Sequence, residues 1–400
     1  MVIGLGTAGC AAVAPEPPHA VACTPGDVRA EDVRAADGRG LEPVVRHSAR
    51  HSVSLGLEDV VDPQQDWDEV AARLDGAGVN TVHVSAGRVE FTAFDWDAHP
   101  EAAAEPGTDH LARALDNVGA LPDGTCREVG IVIDAYVPAW IADDPSIAGL
   151  DTSGRRSTYT PSASALLEGA VGERYIEYLV AVAERYQPDQ VSFSELAFDD
   201  ETFGEEDLTL YRSMTGASDW PRRSDGTVDE DAVEVGAWRA EVLAGFLRRA
   251  RAALEEVEQR TGQQIQLVTD VQVSWDDVLG GKPSVGHDYG VLASAVDELI
   301  LWAYLGTQGR APGDLERLAA ALDDMPVDAE RFTISIGLWD EQTPEARQTE
   351  ATISPEVLAA SLTAAQTHHI VAVNVTPYSL MSPAHWEVVD EAWDDSGAGT

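Results

Sequence analysis

Lysine is all but missing from this 400-residue chain. Lys282 is the single one, and with the arginines it makes 26 basic residues against 70 acidic ones. A formal charge of −44 repels polyanions, so nucleic-acid binding and adsorption to an anionic membrane surface are excluded as functions. Cysteine is scarce too: Cys10, Cys23 and Cys126 are all there is, with no CxxC pair for redox or zinc chemistry. No stretch approaches the roughly 20 apolar residues of a membrane-spanning helix. The chain also lacks the GxSxG elbow, the HExxH zinc motif and the GxxxxGK[ST] phosphate loop. No cofactor is expected. His47 and His51 stand at i, i+4 spacing without a third ligand and read as surface histidines, so no metal is expected either.

What is present is a regular alternation of short apolar runs and amphipathic stretches. β-rich runs occur at 53–57, 80–86, 129–135, 190–195, 265–270, 298–304, 332–338 and 370–376. Between them lie helical patterns such as DWDEVAARLDGAG at 66–78, which opens on an Asp cap and closes on Gly. Eight β/α units in about 340 residues predict an α/β fold of the (β/α)8 type, a TIM barrel. A doubly wound open sheet lacks its Gly-rich phosphate turn after the first strand. The barrel is expected as a single domain over 46–396, after a disordered Ala/Pro-rich tether over 1–45.

Side chains alternate across a strand, so each run divides into an aliphatic phase for the helices and a small or polar phase for the barrel axis. The inward phase ends, run by run, at Glu58, at His83 and Ser85, and at Asp134 and Tyr136. Further round it ends at Asp270, at Trp302 and Tyr304, at Trp339, and at Tyr378. Glu195 breaks the pattern: it shares its phase with Val191 and Phe193, which belong to the helix side. Strict alternation would bury an unpaired carboxylate there, so the strand must bulge or stop to turn Glu195 inward. The longest post-strand loop follows, at roughly 196–228. Asp199 and Asp200 stand as rim contacts, Glu205 to Asp207 as a helix start, and Trp220 as either a lid or an anchor.

Carboxylates converging with aromatics suit carbohydrate hydrolysis. One acid protonates the glycosidic oxygen, and a second carboxylate stabilises, attacks or activates water against an oxocarbenium-like state. The candidate catalytic residues are Glu195, Asp134 and Asp270. The candidate substrate-binding residues are Glu58, His83, Tyr136, Asp199, Asp200, Trp302, Tyr304, Trp339, Asp340 and Tyr378. On F-S-E at 193–195 the chain resembles the (β/α)8 glycoside hydrolases whose acid/base ends strand four. It departs from them in having Ser194 before the acid and Trp339-Asp340-Glu341 where the strand-seven glutamate would be. VSFSELAFDD is also similar to the hydrolase-like domains of bacterial exopolysaccharide proteins, including those acting on poly-N-acetylglucosamine. The resemblance implies a glycoside hydrolase acting on a polysaccharide or oligosaccharide. The alternatives are a glycan-binding barrel without turnover and a solute-binding lipoprotein, which would need two lobes.

Thr7-Ala8-Gly9-Cys10 resembles the lipobox of bacterial lipoproteins, although no basic region precedes it and its apolar stretch is short. That resemblance implies lipidation at Cys10 and an extracytoplasmic, cell-surface location, with the membrane touched only through this anchor. Cys23 and Cys126 could pair there or stay free.

Overall fold

A computed structural model describes residues 19, 21–24, 49–341 and 351–394. Cys10 and His47 lie outside the described residues. Eight parallel strands form the core: β1 (Arg50–Leu55), β2 (Thr81–Arg88), β3 (Glu128–Asp134), β4 (Gln190–Ser194), β5 (Gln266–Gln272), β6 (Glu298–Ala303), β7 (Phe332–Gly337) and β8 (Ala372–Thr376). Each pairs with its successor, and β8 pairs with β1, which closes the sheet. Every run expected from the alternation is therefore a barrel strand. Around them, in chain order, run α1 (Trp67–Gly76), α2 (His110–Val118), α3 (Ala170–Tyr186), α4 (Val233–Thr261), α5 (Tyr289–Ala293), α6 (Pro312–Asp323), α7 (Pro355–Ala365) and α8 (Pro383–Asp394). Asp66 caps α1 by accepting from the Glu69 N–H, the role its position predicts.

The outward phase builds the core between sheet and helices. Val53, Val82, Ile131, Val191, Leu267, Leu301, Ile334 and Val373 are completely buried. Two tyrosines of α3 reach through this layer to carbonyls at the strand ends: Tyr178 donates to Ala86 O at 2.6 Å and Tyr175 donates to Ala135 O. The inward phases stand in register. Ser54 faces His83, His83 faces Gly130, Asp134 faces Ser194, and Ser335 faces Asn374.

The lower end of the barrel, where the strands begin, is filled by a buried polar group. Arg50 Nη2 donates to Glu298 Oε1 at 2.7 Å, Arg50 Nη1 lies 3.6 Å from Glu128, and Gln190 Nε2 donates to Glu128 at 2.6 Å. Thr333 adds a hydroxyl donor to Glu298. His51 belongs to this end as well. It is buried, stacked on Trp393 at 4.8 Å, and so serves packing rather than the surface.

Cys23 and Cys126 are joined by a disulfide across 103 residues of sequence. The stretch around Cys23 is pinned to the barrel's lower side. The His19 N–H donates to Arg185 O at 2.7 Å, the His19 ring meets Asp116 at 3.0 Å, and Thr24 bridges to Thr125. Arg185 and Asp116 lie near the C-terminal ends of α3 and α2, just before β4 and β3 begin.

Candidate active site

β4 ends at Ser194, whose carbonyl still accepts from Ala135 N–H at 2.9 Å. The next residue, Glu195, has φ of 61°. This is the left-handed region, which costs a non-glycine residue on the order of 1 kcal/mol or more. The step rotates the side chain out of phase with Val191 and Phe193 and into the barrel mouth. The break in alternation is thus resolved by one backbone torsion, with the strand stopping rather than bulging.

The mouth holds a cavity of about 250 Å³. Its carboxylates are Glu58, Asp134, Glu195 and Asp270; its aromatic rings are Tyr304 and Trp339; its floor includes His83, Ser54, Ser335 and Asn374. Two glycines make the fit. A Cβ on Gly130 would come within 2.8 Å of His83 Cδ2, and a Cβ on Gly337 would overlap the Tyr304 ring. Tyr304 lies between Trp302 and Trp339, with ring centroids 6.0 and 5.1 Å away.

Burial raises three of these carboxyl groups. Burial pushes Glu195 up from 4.5 to about 7. The Tyr136 hydroxyl, donating to Oε2 at 2.8 Å, works against that shift, and the charges of Asp134, Asp270 and Asp199 add to it. Asp270 is pushed up to about 6 by burial, opposed by donors from Trp302 Nε1 at 3.0 Å and Ser194 Oγ at 2.9 Å. Burial also raises Asp134. It is held by the Tyr136 N–H at 2.9 Å, and Arg88 Nη1 stands 3.9 Å from it. Near neutral pH Glu195 therefore retains its proton part of the time, beside an Asp270 that gives up its proton at slightly lower pH.

Several expected residues take other places. Tyr136 and Trp302 act through the acids, donating to Glu195 and Asp270, and do not line the cavity. Asp199 and Asp200 are exposed; Asp200 lies 3.9 Å from Arg239. Asp340 follows Trp339 beyond the cavity, its N–H bonded to Ala351 O at 2.7 Å. Tyr378 is also outside. The strand ends at Thr376, Pro377 takes the wall, and a 3-10 turn sends Tyr378 against Trp386 at 5.8 Å. Trp220 is an anchor: it is buried against Phe203, Tyr211 and Trp238. Glu205 to Asp207 open the helix Glu205–Thr215, as their sequence implies. Tyr159 escaped the sequence reading. It stands on a hairpin of Ala148–Leu150 with Arg156–Pro161, is 55% exposed, and lies 5.6 Å from the Tyr136 ring. An exposed aromatic inside an irregular loop leaves no periodic signal.

No protein-family model and no curated protein matches the sequence. Solved structures do match. The PgaB (BpsB) glycoside hydrolase domain from Bordetella bronchiseptica superimposes with a TM-score of 0.61 at 13% identity, covering 88% of this chain and 98% of that one. The catalytic domain of a β-amylase from Paenibacillus polymyxa gives 0.59 at 12%, covering 88% and 100%. The chain is a TIM barrel. A GH42 β-galactosidase from G. stearothermophilus gives 0.63 at 11% identity, covering 87% of this TIM barrel and 56% of its own longer chain. The neighbours of this barrel are glycoside hydrolases, and at these identities the likeness is one of fold.

Proposed function

We propose that this barrel is an extracytoplasmic glycoside hydrolase that cleaves a polysaccharide or oligosaccharide at its mouth, with Glu195 as general acid. The observation that carries the reading is Glu195 itself, a half-buried carboxyl turned into the cavity by a left-handed backbone step and held near neutral pKa beside Asp270 and Asp134. A carboxyl that keeps its proton near neutrality, with a second carboxylate beside it, is what acid-assisted glycoside cleavage uses.

Tyr136 occupies Oε2 of Glu195, which leaves Oε1 for the transferable proton. That proton passes to the glycosidic oxygen as its bond to the anomeric carbon breaks. Asp270 and Asp134 supply negative charge to the oxocarbenium-like centre, water adds to the anomeric carbon, and its proton goes to a carboxylate. Trp339 and Tyr304 offer ring faces for the sugar's C–H surface, with Tyr159 a further one on the rim. The disulfide supports the location, since such bonds persist outside the reducing cytosol. Lipidation at Cys10 is part of the same reading and rests on the sequence alone.

The test is release of reducing ends from a panel of polysaccharides and oligosaccharides. The wild type is expected to release product, and Glu195→Gln to lose at least 10²-fold in kcat. Full activity in that variant removes Glu195 from the chemistry. One observation favours a second reading, a barrel that binds glycans without cleaving them. The end of β7 brings Trp339 to the cavity and no carboxylate. Glycan binding with no product from any substrate would select it. The described residues form one closed barrel, not the two lobes that the solute-binding alternative needs.

A further inference from the structure

His287 is completely buried and sits next to the candidate acid without lining the cavity. It belongs to the loop after β5. That loop folds back on itself through Lys282 N–H to His287 O at 2.7 Å and His287 N–H to Lys282 O at 3.1 Å. Both ring nitrogens are committed to backbone. Gln272 N–H, at the end of β5, donates to Nδ1 at 3.0 Å, and Nε2 meets Leu196 O at 3.0 Å. A peptide N–H can only donate and a carbonyl can only accept, so the tautomer is settled: Nδ1 is bare and Nε2 carries the proton. The ring is therefore a neutral strut between the end of β5 and the residue after Glu195.

The same loop holds the chain at a second point, where Phe198 N–H donates to Val285 O at 3.2 Å. From α4, Arg239 bridges the two loops, donating to Thr202 Oγ1 at 2.9 Å and to Ser284 O. A residue at φ of 61° relaxes toward extended backbone unless the peptide beyond it is fixed. Extended backbone would return the Glu195 carboxyl to the helix side.

We propose that His287 is the positioning residue of the site, a neutral imidazole whose Nε2–H holds Leu196 O and so keeps Glu195 aimed into the cavity. It does not relay protons, because neither nitrogen is open to substrate or water. The proposal rests on the reading of Glu195 as the acid.

Three variants separate its two bonds. His287→Gln keeps a donor near Nε2, His287→Asn keeps an acceptor near Nδ1, and His287→Phe keeps only the volume. His287→Asn and His287→Phe should lower kcat by about 10²-fold with KM within about twofold, while His287→Gln recovers most of the loss. The second readout needs no turnover: titration of the Glu195 carboxyl carbon by NMR. Its inflection at about 7 should shift in the Asn and Phe variants, as the carboxyl leaves the Tyr136 hydroxyl and the charges of Asp134 and Asp270, and stay in place in the Gln variant. Tyr136, Asp134, Asp270, Asp199 and Tyr304 face Glu195, and Lys282 faces His287; none of these is altered. Wild-type kcat and an unmoved inflection in a folded His287→Asn protein overturn the proposal. Equal losses in all three variants, with early melting and no rescue by Gln, overturn it too. Turnover by Glu195→Gln measured alongside overturns the acid reading alone, and the titration then decides the role of His287.

Discussion

Replacing Glu195 by Gln should stabilise the protein at pH 8 while removing its activity. In the folded chain the Glu195 carboxyl titrates at about 7 against 4.5 for the free group. A folded-state pKa raised this way contributes stability that is present below the unfolded value and lost as pH rises through the folded one. At about 1.36 kcal/mol per unit, the ionised carboxylate at pH 8 opposes folding by on the order of 3 kcal/mol. Solvent reaching the open mouth reduces this to about 1–2 kcal/mol. Gln keeps an acceptor for the Tyr136 hydroxyl and the same backbone strain, so only the charge is removed. Urea unfolding of both proteins at pH 5 and pH 8 measures the effect. The variant's advantage should be small at pH 5 and grow to about 1–2 kcal/mol at pH 8. Contributions from Asp270 and Asp134 are largely common to both chains; what they add, through relieved repulsion, has the same sign. A stability gap that is equal at the two pH values, or reversed at pH 8, refutes the account of Glu195 as a half-buried acid held near neutrality.

The activity itself should follow a narrow bell in kcat/KM, falling below about pH 6 as Asp270 protonates and above about pH 7 as Glu195 ionises; a plateau through pH 9 would exclude Glu195 as the proton donor. Gly337→Ala should destabilise the fold by about 1–3 kcal/mol and raise KM, because the new methyl displaces the half-buried Tyr304 ring. Unchanged denaturation and KM would show that the ring is free to yield. Cys126→Ser should lower stability by about 4–5 kcal/mol in chain-entropy terms, since the lost cross-link spans 103 residues. Urea unfolding with and without reductant checks this, the reduced wild type matching the variant.

The barrel was legible because its information is local and periodic. A two-residue alternation within each run tells which side chains face the axis, and Glu58, His83, Asp134, Asp270, Tyr304 and Trp339 all reach the cavity. Past the strand ends the alternation no longer dictates the outcome, although Glu58 still reaches the cavity from the short helix Leu57–Val61. The rule fails at Tyr378, two residues past the end of β8, where a turn redirects the side chain. At Glu195 the sequence poses the problem without the solution. Phase shows that something must rotate the carboxyl, but the left-handed torsion and the imidazole beside it depend on a contact 91 residues away in sequence. The cysteine pair is of the same kind, as spacing alone left pairing and free thiols equally open.

The disulfide also bears on which way a lipid-anchored form of the molecule would face. Cys23 and His19 are fastened where β3 and β4 begin, at the end of the barrel opposite the mouth. A lipid on Cys10 would sit nine residues before His19, a reach of roughly 30 Å at full extension. A barrel moored on so short a lead would keep its lower end toward the bilayer and its mouth toward the surroundings. A polymer outside the cell could then lie across the opening without passing between protein and membrane.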